Sequence, residues 1–238
     1  MKILAVDTSS ASGSVAFTED GRVIAEESAE RVGMHGAWLS SAIERSLGSA
    51  GVQANDVDLF AVSVGPGSFT GLRVGVSTVK GLSWALGKPV AGVSTLKALA
   101  LNMSDSALPI CAVLDARKHE IYAAVYKPMG ASIETLLEER AVKPIDLIAE
   151  LKERSLDNAI FTGSGLDPYL GVFKDGLPSA SFALPALWMV KASNVARLTA
   201  NGDAAITTAA LLKPVYLRRS EAEINKKAAS RCGGGLTI

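Results

Sequence analysis

The chain has 238 residues, with 24 Lys plus Arg against 24 Asp plus Glu and 5% aromatic residues. That length holds one large domain, or two of roughly 100–120 residues, without metal or disulfide staples. Zero net charge and so few stacking rings argue against a main nucleic-acid docking surface, and the two cysteines, Cys111 and Cys232, lack C-x-x-C spacing and fit a reducing cytoplasm.

The apolar start, Ile3 to Val6, stops at Asp7. It is too short for a signal segment, and no later run approaches a membrane span. "KILAVDTSSASGSVAF" reads as a strand, an acid, a small polar turn and a second strand, with a third strand at Val23 to Ser28. A helix from Gly36 to Leu47 follows, with Trp38, Leu39, Ala42, Ile43 and Leu47 spaced for one apolar face.

Next comes a strand ending in glycine, "LFAVSVGPG" at 59–67, and the stretch "VGPGSFTGLRVG" from Val64 to Gly75. Glycines ahead of an apolar helix suit either an anion held on exposed amides or a tight turn with close backbone approach. No G-x-x-x-x-G-K-[ST] pattern occurs, so a P-loop is excluded. The turn reading has Gly65 and Gly67 bending the chain, Ser68 or Thr70 capping the helix, and Gly71 and Gly75 leaving bare backbone for another helix.

The helix from Thr70 to Leu86 carries only Arg73 and Lys80 as charges. A helix apolar nearly all round is buried nearly all round, within the lobe or against a second subunit. A further helix opens at Ser94. The polar stretch Asn102 to Leu108 marks the boundary, giving a first lobe at 1–105, a second at 106–225 and a glycine-rich tail at 226–238.

The second lobe repeats the plan. "ICAVLDARKHEIYAAVY" at 110–126 puts Asp115 in the place of Asp7; a strand at Leu136 to Val142, a helix from Pro144, a strand "AIFTGSG" at 159–165 and a helix after Ser193, ending at Gly202, follow. The expected class is α/β: two similar lobes of duplicated βββαβα units, with mixed sheets and flanking helices.

Two lobes with an acid in each hairpin turn resemble the actin, sugar-kinase and heat-shock chaperone superfamily. "ILAVDTSSASGSVAF", the glycine stretch with its helix, "LDARKHEIYAAVY" and "PVYLRRSEAE" are similar to the TsaB (YeaZ) family, relatives of TsaD, over Met1 to about Glu223. The resemblance implies a non-catalytic subunit for making threonylcarbamoyladenosine in tRNA, partnered by TsaD and TsaE. It also implies a homodimer when alone, tRNA contact only through the complex, ATP and metal in the partner subunits and none intrinsic, and a cytoplasmic place away from membranes.

The residues bear on each part of that expectation. TsaD-type metal binding needs two histidines one helical turn apart, whereas His35 and His119 fall in different lobes. No serine, histidine and acid pattern supports a peptidase. By the resemblance, Asp7, Thr8, Ser9, Asp115, Gly163 and Gly165 line a vestigial nucleotide cleft, though acids also close turns unaided. Trp38, Leu39, Ala42, Ile43, Leu72, Gly75, Val76, Val79 and Leu82 are the candidate partner interface, within reach of the ~800 Å² that a standard interface buries per partner. Arg218 and Arg219 suit a bound phosphate, a partner or tRNA contact, or pairing with acids such as Glu221 and Glu223, exposed ion pairs being the simplest reading. The competing reading is an autonomous ATP-dependent phosphotransferase using Asp7 and Asp115.

Overall fold

The computed structural model describes residues 1–30, 35–130 and 132–218. The expected tail, Cys232, Arg219, Glu221, Glu223 and the side chain of His35 lie outside the described residues.

The first half runs β1 (Lys2–Asp7), β2 (Gly13–Glu19), β3 (Arg22–Ala29), α1 (His35–Ser49), β4 (Leu59–Gly65), α2 (Phe69–Leu86), β5 (Val90–Ser94) and α3 (Thr95–Ala100). The second runs β6 (Ile110–Arg117), β7 (Glu120–Met129), β8 (Ser132–Val142), α4 (Pro144–Glu153), β9 (Ile160–Thr162), α5 (Leu166–Gly176), β10 (Ser181–Phe182) and α6 (Ala192–Ala200), and β11 (Ile206–Thr207) closes the series. Both halves are therefore βββαβαβα, one strand and helix longer than the sequence pattern suggested. The unread helix is α5, whose Pro168, Gly171 and Gly176 interrupt its apolar period. Pro168 falls in the first turn, where a missing N–H costs nothing.

The sheets are ordered β11-β5-β4-β1-β2-β3 and β10-β9-β6-β7-β8. In each, an antiparallel hairpin is extended by a parallel strand, β4 beside β1 and β9 beside β6. Strand alternation sorts side chains by size. On β1 and β4, Leu4, Val6, Phe60 and Val62 face outward onto α1 and α2, while Ile3, Ala5, Leu59 and Ala61 face inward. The inner face is rich in alanine, Ala5, Ala16, Ala61 and Ala91 on one sheet and Ala112 and Ala124 on the other, so helices approach closely.

Those helices are α3 and α6, sandwiched between the sheets; α6 lies on β1 and β2, and α3 on β6 and β7. The layers are thus α1 and α2, first sheet, α3 and α6, second sheet, then α4 and α5, whose Leu147 and Phe173 share a core with Val113 and Phe161 of that sheet. Beyond the sequence boundary at 105, β11 adds to the first sheet by pairing with β5.

Of the two serines ahead of apolar helices in the sequence, one caps its helix and the other does not. Ser94 accepts from the Lys97 amide at 3.0 Å, as expected of an N-cap. It also donates to Glu139, which takes a second bond from the Tyr126 hydroxyl at 2.9 Å, joining the lobes. Ser193 is not a cap, because α6 already begins at Ala192. The first-lobe side chains do that work: Ser14 Oγ accepts from the Ala192 amide at 2.9 Å, and Glu26 accepts from the Ser193 amide and hydroxyl.

Candidate functional site: an interlobe cleft and an outer helical face

β1 delivers Asp7 to its end, where it is 1% exposed. Burial pushes its carboxyl from 3.8 up to about 6, against the opposing pull of the Ser63 and Ser9 hydroxyls. Ser9 Oγ donates to Asp7 Oδ1 at 2.7 Å. Asp7 and Thr8 are enclosed in the first lobe and lie outside the lining of the interlobe cleft; Ser9, buried itself, contributes to the cleft wall.

The glycine stretch encloses them. Ser68 caps α2 by accepting from the Gly71 amide at 3.3 Å, while Thr70 is exposed in the first turn. The Ser68 amide donates to Ser9 O at 2.7 Å, and Thr8 Oγ1 donates to Gly71 O at 2.8 Å. A Cβ at Gly67 would overlap the Ser9 carbonyl, at Gly71 the Thr8 carbonyl and at Gly75 the Thr8 hydroxyl. Gly65, at φ +134, lies against the Val215 carbonyl. The bare backbone expected to receive another helix instead receives the β1–β2 turn. The close approach that these glycines permit is to the protein itself, not to a phosphate.

The second lobe keeps its acid accessible. Asp115 has 26% of its side chain exposed, accepts from the Arg117 amide at 2.8 Å and pairs with the Arg117 guanidinium at 3.4 Å. Gly163, at φ +118, and Gly165 pack against the Val113 and Leu114 backbone, placing Ser164 and the start of α5 at the wall. The β6–β7 turn holds Arg117, Lys118 and His119 at φ +62, +54 and +61, each costing roughly 1–2 kcal/mol without glycine.

These parts meet in a cleft of about 950 Å³ between the lobes. Ser9, Ser10, Ser12, Gly67 and Ser68 form one wall and Asp115, Arg117, Lys118, Ser164 and Asp167 the other, with Phe69, Tyr122 and Trp188 adding aromatic surface. Burial raises the Tyr122 phenol, keeping it a neutral donor. Arg218 also lines the cleft. Instead of facing solvent it donates to the Ala116 carbonyl at 2.7 Å and pairs with Glu120 at 3.1 Å. Among the described residues no group of three or more His, Cys, Asp and Glu stands together as a metal site, and no helix is long and apolar enough to cross a membrane.

The helix residues expected at a partner interface turn inward. Leu39, Ala42, Ile43, Val76 and Val79 belong to the outer core of the first lobe, with Leu72 and Gly75 buried beside them. Trp38 and Leu82 are partly buried on that core, and the Trp38 ring lies over Gly13. Intramolecular burial therefore accounts for the apolar stripe. Outside it, α1 presents Ala37, Ser40, Ser41 and Glu44, and α2 presents Arg73, Ser77, Gly81, Trp84 and Ala85. Trp84 is 84% exposed. Its signal in the sequence is its place in the 73-77-81-84 row, off the 72-76-79 stripe.

A family model described as TsaD, tRNA N6-adenosine threonylcarbamoyltransferase, matches residues 22–226. The tRNA threonylcarbamoyladenosine biosynthesis protein TsaB of Bacillus subtilis is 30% identical, covering 94% of this chain and 96% of its own. The protein of the same name from Escherichia coli is 32% identical, covering 93% and 96%. Among solved structures, YeaZ from Pseudomonas aeruginosa superposes with a TM-score of 0.73 at 27% identity, over 91% of this chain and 99% of that one.

Proposed function

The chain belongs to the TsaB family, within the wider group that the TsaD model describes, and from that premise we propose that it serves threonylcarbamoyladenosine formation in tRNA as a non-catalytic partner subunit. The observation that carries the non-catalytic part is the enclosure of the first-lobe turn. The Thr8 and Ser9 backbone occupies the space beside Gly67 and Gly71, and Asp7 is sealed behind it. A phosphotransferase using Asp7 would need that carboxylate to reach a hydrated cation or a water, and burial removes that access.

The partner in this reading is a TsaD-type subunit, with TsaE joining and with ATP and metal held in those chains. Contact runs through the outward rows of α1 and α2, where small side chains let a facing helix come close and Trp84 supplies an aromatic anchor of the kind that dominates interface energy. The same face serves a homodimer when the partner is absent, so the two assemblies compete. Transfer-RNA is met only within the complex, in keeping with zero net charge, and the setting is the cytoplasm.

Reconstitution tests this reading. A TsaD-type transferase with TsaE, ATP, tRNA and threonylcarbamoyl-adenylate is expected to modify tRNA only when this chain is added, and the chain alone is expected to turn over no ATP. Full modification without it, or turnover by the isolated chain, would sink the reading.

A further inference from the structure

Two hairpin turns in this fold have the same length and backbone sign but opposite residue chemistry. β2 and β3 are joined across the Glu19–Arg22 pair by Asp20-Gly21, at φ +50 and +80. β6 and β7 are joined across the Arg117–Glu120 pair by Lys118-His119, at φ +54 and +61, with Arg117 itself at +62. Two-residue loops with positive φ at both central positions favour Asp-Gly or Asn-Gly. The first turn therefore holds itself, whereas three consecutive non-glycine residues in the second need outside support.

The support arrives from the far end of the described chain. Arg218 Nη1 donates to the Ala116 carbonyl at 2.7 Å and the Arg117 carbonyl at 3.3 Å, and reaches Glu120 across the turn at 3.1 Å. Upstream, the segment that delivers Arg218 is stitched to the first lobe along α2. Lys80 Nζ donates to the Leu212 carbonyl at 3.1 Å, the Val215 amide to Val64 O at 2.7 Å, and Arg73 Nε to the Tyr216 hydroxyl at 3.1 Å. The Tyr216 ring stacks on Phe69 at 4.5 Å.

We propose that residues 212–218 act as a strap tying the outer side of α2 to the left-handed turn at the cleft, with Arg218 as its clasp. The strap anchors on one lobe and closes on the other, so displacement of Tyr216 at the α2 surface frees Arg218 and lets the 117–119 turn relax. A contact made at Arg73 or Tyr216 is thereby felt in the cleft wall that Arg117 and Lys118 form. This coupling does not depend on which partner, if any, covers α2.

Hydrogen exchange on the full chain tests it. Arg218→Ala and Tyr216→Ala are each expected to speed exchange of the amides at 115–121 at least tenfold, leaving the α1 amides and the Asp20-Gly21 turn unchanged. Tyr216 is the decisive position, because its ring stacking on Phe69 and its bond from Arg73 both lie on α2 and not in the turn. Lys118→Asn/His119→Gly, which supplies the favoured turn chemistry, should abolish the response to Arg218→Ala. Wild-type exchange at 115–121 in Tyr216→Ala would overturn the coupling. So would an equal acceleration in α1, or an Arg218→Ala response that persists in the Asn-Gly background.

Discussion

Asp7 and Asp115 occupy equivalent strand ends in the two lobes and meet opposite fates. Asp7 is sealed beneath the turn that the α2 glycines embrace, with no Lys or Arg paired to it among the described residues; Asp115 stays partly open, caps its own turn and pairs with Arg117. The difference lies in what the glycines of each lobe press against. In the first lobe, Gly67, Gly71 and Gly75 close on the β1–β2 turn, and in the second Gly163 and Gly165 close on the body of β6, short of the turn. A duplicated architecture can thus retain both halves of a cleft while one half is filled by its own backbone.

The largest expected effect concerns the buried side of α2. Val76→Glu places a carboxylate in the outer core, where Val76 is 3% exposed, and should cost more than about 4 kcal/mol. Urea unfolding is expected to show the first lobe lost, so the variant is no test of partner contact. A folded Val76→Glu monomer would show that α2 packs less tightly on the sheet than the burial of Val76 implies.

The acids can be compared directly by pH. Burial raises the Asp7 carboxyl from 3.8 to about 6, so ionisation favours the unfolded chain. The stability is full below pH 3.8 and is lost as pH rises through about 6, a difference of about 3 kcal/mol. Asp7→Asn should therefore be the more stable protein at pH ~7.5, by on the order of 1–3 kcal/mol, and lose that advantage below pH ~4. An advantage independent of pH would mean that Asp7 is not sealed.

Asp115→Ala should cost only about 1 kcal/mol, the worth of its bond to the Arg117 amide. A loss equal to that of a core substitution would erase the contrast between the lobes. The smallest effect is expected at the turn: Lys118→Asn/His119→Gly should raise stability by about 0.5–1 kcal/mol in thermal unfolding. No gain there would mean that the left-handed backbone carries little strain.

Much of this was legible in the chain. Alternating apolar strands, the duplicated acid, Pro144 opening α4 and Ser94 capping α3 are local signals, and local signals read directly. What stayed hidden depends on contacts distant in sequence. The inner surface of α6 is recognised as first-lobe packing only once Ser14 and Glu26 are seen on its amides. Likewise, Leu39 and Val76 form a stripe that fits either a core or an interface, and periodicity cannot say which side the sheet covers. Arg218 is one of two adjacent arginines until the strap carries it to the β6–β7 turn.

We propose the outer face of α1 and α2, and not the cleft, as the working surface of this protein. Sedimentation velocity of the chain mixed with the TsaD-type partner proposed for it tests this most directly, comparing Trp84→Glu/Ser77→Arg on the exposed row with Ser10→Trp, which fills the cleft. The cleft variant is expected still to form a one-to-one complex, while the helical-face variant stays folded and sediments alone. A complex that survives the helical-face substitutions, or is lost on filling the cleft, would contradict it.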